Sequence, residues 1–173
     1  RPRPRALRPV LMARTTPSGT PALLALQRCD VEFSVHTYAH DPAAESFGME
    51  AADALGLDPV TVFKTLLAEV DGTPTVAIVP VSGQLDLKAL ASARGGKRAR
   101  MMEVAVAERL TGYVAGGISP LGQRKTLPTV IDASAADLGT MYVSGGQRGL
   151  DIGIAPADLL QLTGATYAAI SAH

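Results

Sequence analysis

Two features of this chain are placed to do chemistry: a loop of glycines beside cations, and one lysine standing alone among acids. The loop is Thr111–Lys125 (TGYVAGGISPLGQRK), whose later part gathers three glycines, one proline and two cations. A Gly-Gly pair reaches backbone angles closed to other residues and brings amide N–H groups to an open surface. Pro120 fixes its own φ, so the loop reads as bent and stiff. Convergent N–H groups beside Arg124 and Lys125 suit a phosphate, a carboxylate or a developing oxyanion. An isolated Gly-Gly pair is more often a plain connection between strands, and it is the charge around this one that sets it apart.

The lysine is Lys64, the only cation between Arg28 and Lys88. It opens an apolar strand within residues 28–86, which hold 2 cations and 10 acids. Such a lysine must either snorkel to water or meet a partner. Nothing in the chain reads as a nucleophile of its own. Cys29 is the single cysteine and no activating histidine stands beside it in sequence, so it reads as a core or boundary thiol. His36 and His40 have metal-ligand spacing. The only other histidine is His173 and no cysteine is close, so zinc is not expected. No Ser-His-Asp set stands out.

The formal charge is zero, but it is unevenly spread. Residues 1–19 hold five arginines and no acid, leaving 11 cations against 16 acids in residues 20–173. Within the acidic part, residues 88–125 carry 8 cations and only Glu103 and Glu108. Non-specific nucleic-acid binders are basic overall, which this chain is not. A local basic face that positions one phosphate-bearing ligand fits better, although a solvated charged surface would look the same.

Elements must hold these residues in place. At 173 residues, with 47% apolar and 18% charged, the chain reads as one domain with a real core. No run reaches the roughly 18 apolar residues of a membrane span. Residues 1–19 show no hydrophobic periodicity and are expected to be a disordered leader or an extension, with 20–173 the folded domain. Thr20-Pro21 caps a helix to Cys29. Glu32–Tyr38 alternates as a strand, and Ser46–Leu55 is a helix stopped by Gly56. Asp58-Pro59 predicts a short helix. Phe63–Val70, Asp71-Gly72 and Thr75–Val81 predict a hairpin. Leu87–Ala93 and Glu103–Leu110 read as helices, Lys97–Met102 and Leu127–Asp132 as strands. Ser134 caps a helical turn. Met141–Ser144 and Gly149–Ile152 form a second hairpin turning at Gly145-Gly146, and Ala155-Pro156 starts a last helix that Gly164 ends. Short strands and helices without a βαβ rhythm predict a single mixed α+β domain with a curved, barrel-like mixed sheet surrounded by short helices.

The pieces His36–Pro42 (HTYAHDP), Phe47-Gly48, Phe63–Leu66 (FKTL), Ser82–Lys88 (SGQLDLK), Thr111–Gln123 and Tyr142–Asp151 (YVSGGQRGLD) run in one order over nearly everything after residue 20. In this the chain resembles the YbaK family of aminoacyl-tRNA deacylases, free-standing relatives of the editing domain of bacterial prolyl-tRNA synthetase. The resemblance is closest to the branch that hydrolyses Cys-tRNA(Pro). The leader and the arginine-rich Arg94–Arg100 fall outside the pattern.

The resemblance implies trans-editing in the cytoplasm, on the aminoacylated 3′ end of tRNA(Pro), with prolyl-tRNA synthetase as a transient partner and no cofactor or metal. It places the functional lysine on Lys64 and the catalytic-loop glycine on Gly116. Pocket residues fall on Tyr38, Phe47, Thr65, Ser144 and Asp151, and Gly117 joins Gly116 in holding the ester carbonyl. For this branch it implies that the substrate cysteine's own thiol attacks the ester, releasing a thiolactone. The alternative class is a module on the same fold that binds a tRNA 3′ end or an aminoacyl ligand without hydrolysis.

Overall fold

The computed structural model describes residues 19–173, so the expected leader lies outside the described residues apart from Gly19. The chain enters with Thr20, whose hydroxyl accepts from the Leu23 amide and caps α1 (Pro21–Gln27). Then follow β1 (Phe33–Thr37), α2 (Phe47–Leu55), β2 (Phe63–Val70), β3 (Thr73–Pro80), β4 (Gln84–Leu85), α3 (Leu87–Ala93) and β5 (Ala99–Met101). The second half holds α4 (Val104–Thr111), β6 (Thr129–Asp132), β7 (Met141–Gln147), β8 (Leu150–Ile154), α5 (Pro156–Thr163), β9 (Thr166–Ala168) and β10 (Ser171–Ala172).

The class is mixed α+β, and the sheet is not closed into a barrel. Its strands divide into a five-stranded sheet ordered β5-β2-β3-β6-β9, a three-stranded sheet β1-β8-β7, and a pair β10-β4. β2 and β3 are antiparallel through a two-residue turn, Asp71 at φ 48° and Gly72 at φ 83°, the backbone that a tight hairpin requires. β6 and β9 then add parallel to β3. The two larger sheets meet at one bridge, Val62 to Tyr142. Past that bridge β2 and β7 both line a cavity instead of sharing one ladder.

Alternation on β3 explains the layers. Val76 and Ile78 join a core with Phe63, Leu67, Val143 and Ile152, roofed by Leu23 and Leu26 of α1. Ala77 and Val79 pack the opposite face against Leu90 of α3 and Ile170. Ile78, Leu90, Ile131 and Ile152 are fully buried, and cutting one to alanine costs about 2–5 kcal/mol.

Four local expectations differ. Asp58-Pro59 makes a turn, not a helix, because the Asp58 carboxylate accepts from the Val60 amide and its carbonyl takes the Thr61 hydroxyl. The second hairpin turns at Arg148-Gly149, and Gly145-Gly146 lie inside β7 at a register shift. The turn at Ala133–Asp137 is 3-10 and is capped by Asp132, not Ser134. β9 and β10, of three and two residues, were not anticipated.

Candidate active site

Lys64 stands on β2 in register with Val79 and lines a cavity of about 290 Å³. Its ammonium is half-buried, and burial holds its pKa below the usual lysine range. No ion pair or hydrogen bond engages it among the described residues. Next to it, Thr65 is 9% exposed and its hydroxyl has no hydrogen-bond partner. Leaving a buried hydroxyl unpaired costs about 1–3 kcal/mol, which a polar group entering the cavity would recover.

Asp151 on β8 faces His36 on one side and Ser144 on the other. It is 6% exposed, and burial pushes its carboxyl up to about 7. Ser144 keeps its hydroxyl oxygen on the Gly146 amide, 3.2 Å away. Tyr38, just past β1, is anchored by its amide on the Gly149 carbonyl at 2.9 Å. Its phenol is pushed up to about 12, first by burial and then by the Asp151 carboxylate.

The opposite wall is the glycine loop. Gly116 sits at φ +83°, and a Cβ there would come within 2.8–2.9 Å of three ring atoms of Phe47. Phe47 opens α2 and stays 39% exposed. Arg148 lies over its ring, Cζ 4.8 Å from the centroid, while the Arg148 Nε donates to the Ala115 carbonyl at 2.9 Å. The Ala115 amide donates in turn to Glu108 of α4 at 2.8 Å. Farther along, the Tyr113 hydroxyl donates to the Leu121 carbonyl at 2.6 Å. These bonds hold the loop as a fixed shape.

Tyr38, Phe47, Lys64, Thr65, Gly116, Ser144 and Asp151 thus share one cavity. Gly117 does not line it. Its amide donates to the Val114 carbonyl at 2.9 Å, and a Cβ on it would lie 2.7 Å from the Gln147 Cα. Gly117 is therefore where the loop backbone touches the β7–β8 turn. The amides on either side, Gly116 and Ile118, have no protein acceptor among the described residues. Both residues line the cavity, which makes their amides the candidates on this loop for a ligand oxygen.

Arg124 and Lys125 are not beside those amides. Arg124 donates to the Arg109 carbonyl at the end of α4, and Lys125 lines a second cavity with Cys29. The cations nearest the site are Lys64 and Arg148, and sequence reasoning did not single out Arg148. It sat inside the YVSGGQRGLD motif, but its partners Phe47 and Ala115 lie 101 and 33 residues away. Glu50 was also missed. It takes the His40 ring at 2.8 Å and the Asp41 amide at 2.6 Å, tying the loop before Phe47 to α2. The two histidines go separate ways, His36 Nε2 resting 2.8 Å from the Ser34 hydroxyl. Among the described residues no three metal-ligating side chains gather.

Comparison with known proteins adds to this geometry. The model of the aminoacyl-tRNA editing domain matches residues 41–162. A protein of Enterococcus faecalis named as a Cys-tRNA(Pro)/Cys-tRNA(Cys) deacylase is 35% identical, over 91% of this chain and 96% of that protein. A solved structure described as a trans-editing enzyme for prolyl-tRNA synthetase superposes with TM-score 0.79 at 25% identity, covering 91% of this chain and 99% of that one. A structure of a hypothetical protein, 23% identical with TM-score 0.72 over 81% of this chain and 91% of that one, shares the fold.

Proposed function

This chain belongs to the aminoacyl-tRNA editing domain family, and from that premise we propose that residues 20–173 form a deacylase that clears Cys-tRNA(Pro). The observation that carries the reading is the cavity itself: a lone half-buried ammonium, an unpaired buried hydroxyl, two free amides and a buried carboxyl converge on it. None of these groups has a base beside it in the manner of a catalytic triad, and the attack by the substrate's own thiol is taken from the resemblance to the deacylase branch that clears Cys-tRNA(Pro). Lys64 holds a phosphate or ribose oxygen of the tRNA 3′ end as a point charge. Asp151 and Ser144 take the α-ammonium, whose arrival favours the ionised carboxylate. Tyr38 and Phe47 bound the side chain.

In the reaction, the substrate thiol sulfur attacks the ester carbonyl carbon. The carbonyl becomes an oxyanion held by the Gly116 and Ile118 amides, each donor worth about 3–4 kcal/mol in the transition state when well aimed. Collapse breaks the bond to the ribose oxygen, which leaves with the thiol proton, and a cyclic thioester departs to be hydrolysed in water. Holding thiol and carbonyl in one cavity gives an effective molarity of about 10⁵ M or more. The chain acts in the cytoplasm, with prolyl-tRNA synthetase supplying the choice of tRNA.

The experiment compares cysteine, serine and alanine esters of the same tRNA(Pro). Pockets separate such similar side chains by only about 1–3 kcal/mol, whereas serine is a far poorer nucleophile than cysteine near neutral pH. Hydrolysis of the cysteinyl ester alone at a high rate, with a trapped thiolactone and no enzyme adduct, is the expected result. Fast hydrolysis of the alanyl ester would sink the thiol mechanism, and none of any ester would sink the deacylase.

A further inference from the structure

We infer, resting on the deacylase reading, that Lys88, Arg94, Lys97, Arg98 and Arg100 form a docking surface for the phosphate backbone of the tRNA acceptor stem, one unpaired 3′ tail away from the cavity. Residues 87–100 hold these five cations and no acid, in a folded part that is acidic overall. All five are exposed.

The loop that carries them has a fixed shape. Gly95 takes φ +69°, and a Cβ on Gly96 would come within 2.6 Å of Val70 Cγ1 and 2.9 Å of the Asp71 carboxylate. Asp71 at the hairpin tip accepts from the Lys97 amide at 2.9 Å and the Arg98 amide at 3.0 Å. The nearest acid is thus occupied by backbone, leaving both side chains without an ion pair. Among the described residues Arg100 alone of the five makes one, with Glu69 at 3.0 Å, and it remains 77% exposed.

Position supplies the second half of the argument. β5 pairs with β2 only over Ala68–Val70, while Phe63–Leu66 of β2 lines the cavity. The five residues from Lys64 to Glu69 span about 17 Å along the strand. A tRNA ends in about four unpaired nucleotides, and a stacked strand advances about 3.4 Å per nucleotide. An ester held at Lys64 therefore leaves the first stem phosphates within reach of β5, and a tail that follows β2 brings them to it. The surface offers charge without an aromatic anchor, Met101 being its one large exposed apolar side chain. That chemistry suits a phosphate backbone better than a protein interface, whose strongest contacts are buried aromatic and arginine side chains.

The test is binding of uncharged tRNA(Pro) across a salt series, for the wild type and Lys97→Glu/Arg98→Glu. The double variant should bind about tenfold or more weakly at 0.1 M salt, with a log–log salt slope shallower by about 2. KM for the charged tRNA should rise in step while kcat stays within about twofold. Hydrolysis of a charged CCA trinucleotide, which has no stem, should be unchanged. Asp71→Gly keeps the positive φ and every cation but releases the loop, and should weaken binding despite removing a negative charge. Unchanged affinity and slope in the double variant would overturn the proposal. So would an equal loss on the trinucleotide, or a loss seen only when the synthetase is added, which would mark a protein contact instead. If the wild type hydrolyses no charged tRNA, the deacylase reading falls, and binding of uncharged tRNA still decides this surface.

Discussion

The glycine loop divides two cavities of nearly equal size, about 290 Å³ on one side and about 270 Å³ on the other. The second lies between the end of α1 and the end of α5, with Cys29, Gln123 and Lys125 on its walls. By size or by the presence of a cysteine and a lysine, it would rival the first. The polar atoms separate them. In the second cavity the Thr129 hydroxyl donates to Leu127 at 3.0 Å and the Thr163 hydroxyl to Leu159 at 2.7 Å. In the first, the Thr65 hydroxyl is buried and neither it nor the Lys64 ammonium has a partner among the described residues. Ser46 and Ser144 of the first cavity each accept from a backbone amide, so the contrast rests on Thr65 and Lys64, the groups whose bonding a ligand would complete.

The largest test of that contrast is Lys64→Ala. Deacylation should fall by about 10²–10³-fold in kcat/KM, the scale of losing one charge-stabilising contact, while Tm stays level or rises because a desolvated, unpaired charge is removed. Near wild-type turnover would erase the distinction between the cavities. Gly116→Ala should cost about 10–100-fold, since the new methyl meets the Phe47 ring and the backbone is held at φ +83°. Steady-state kinetics at unchanged melting temperature would read this, and an unaltered kcat/KM would move the oxyanion donors elsewhere.

Asp151→Asn sharpens the comparison through pH. The folded carboxyl is raised to about 7 from 3.8, so its neutral form is the one that folding favours. That stabilisation is complete below about pH 4 and is lost as pH climbs through about 7, an effect on the order of 4 kcal/mol at most. Urea melts at pH 4.5 and 8 should therefore show a stability difference in the wild type that shrinks in the asparagine variant. Turnover of that variant should drop about tenfold at pH 8, where the carboxylate would otherwise hold the substrate ammonium. Equal pH slopes in both proteins would refute the assignment. The smallest effect is expected for Cys29→Ser in the second cavity, with activity within about twofold, and a large loss there would give that cavity a role.

The sequence disclosed elements whose signals are local. Thr20, Ser46 and Asp86 each cap the helix they precede, and Gly56, Gly112 and Gly164 end theirs in the left-handed region. The Gly145-Gly146 pair misled because a register shift within a strand and a hairpin turn draw on the same residues. Strands of two and three residues carry no alternation to read, which hid β9 and β10. Seven of the residues named through family resemblance line one cavity and Gly117 does not, a grouping that no local pattern announces. Phe47 meets Gly116, and Asp151 meets His36, only once segments 69 and 115 residues apart have come together. The displacement of Arg124 and Lys125 from the free amides had the same origin, since the direction of the loop after Pro120 is set by Tyr113 and Leu121.

The alternation of amides at Gly116, Gly117 and Ile118 has a consequence for hydrogen–deuterium exchange. The middle proton is tied to Val114 and the outer two have no acceptor among the described residues, so the empty protein should exchange them in a fast–slow–fast pattern over three consecutive residues. A non-hydrolysable ester analogue seated at the site would slow the outer two and leave the middle one nearly unchanged. The loop thus carries its own internal reference for occupancy, legible by NMR without any label on the ligand.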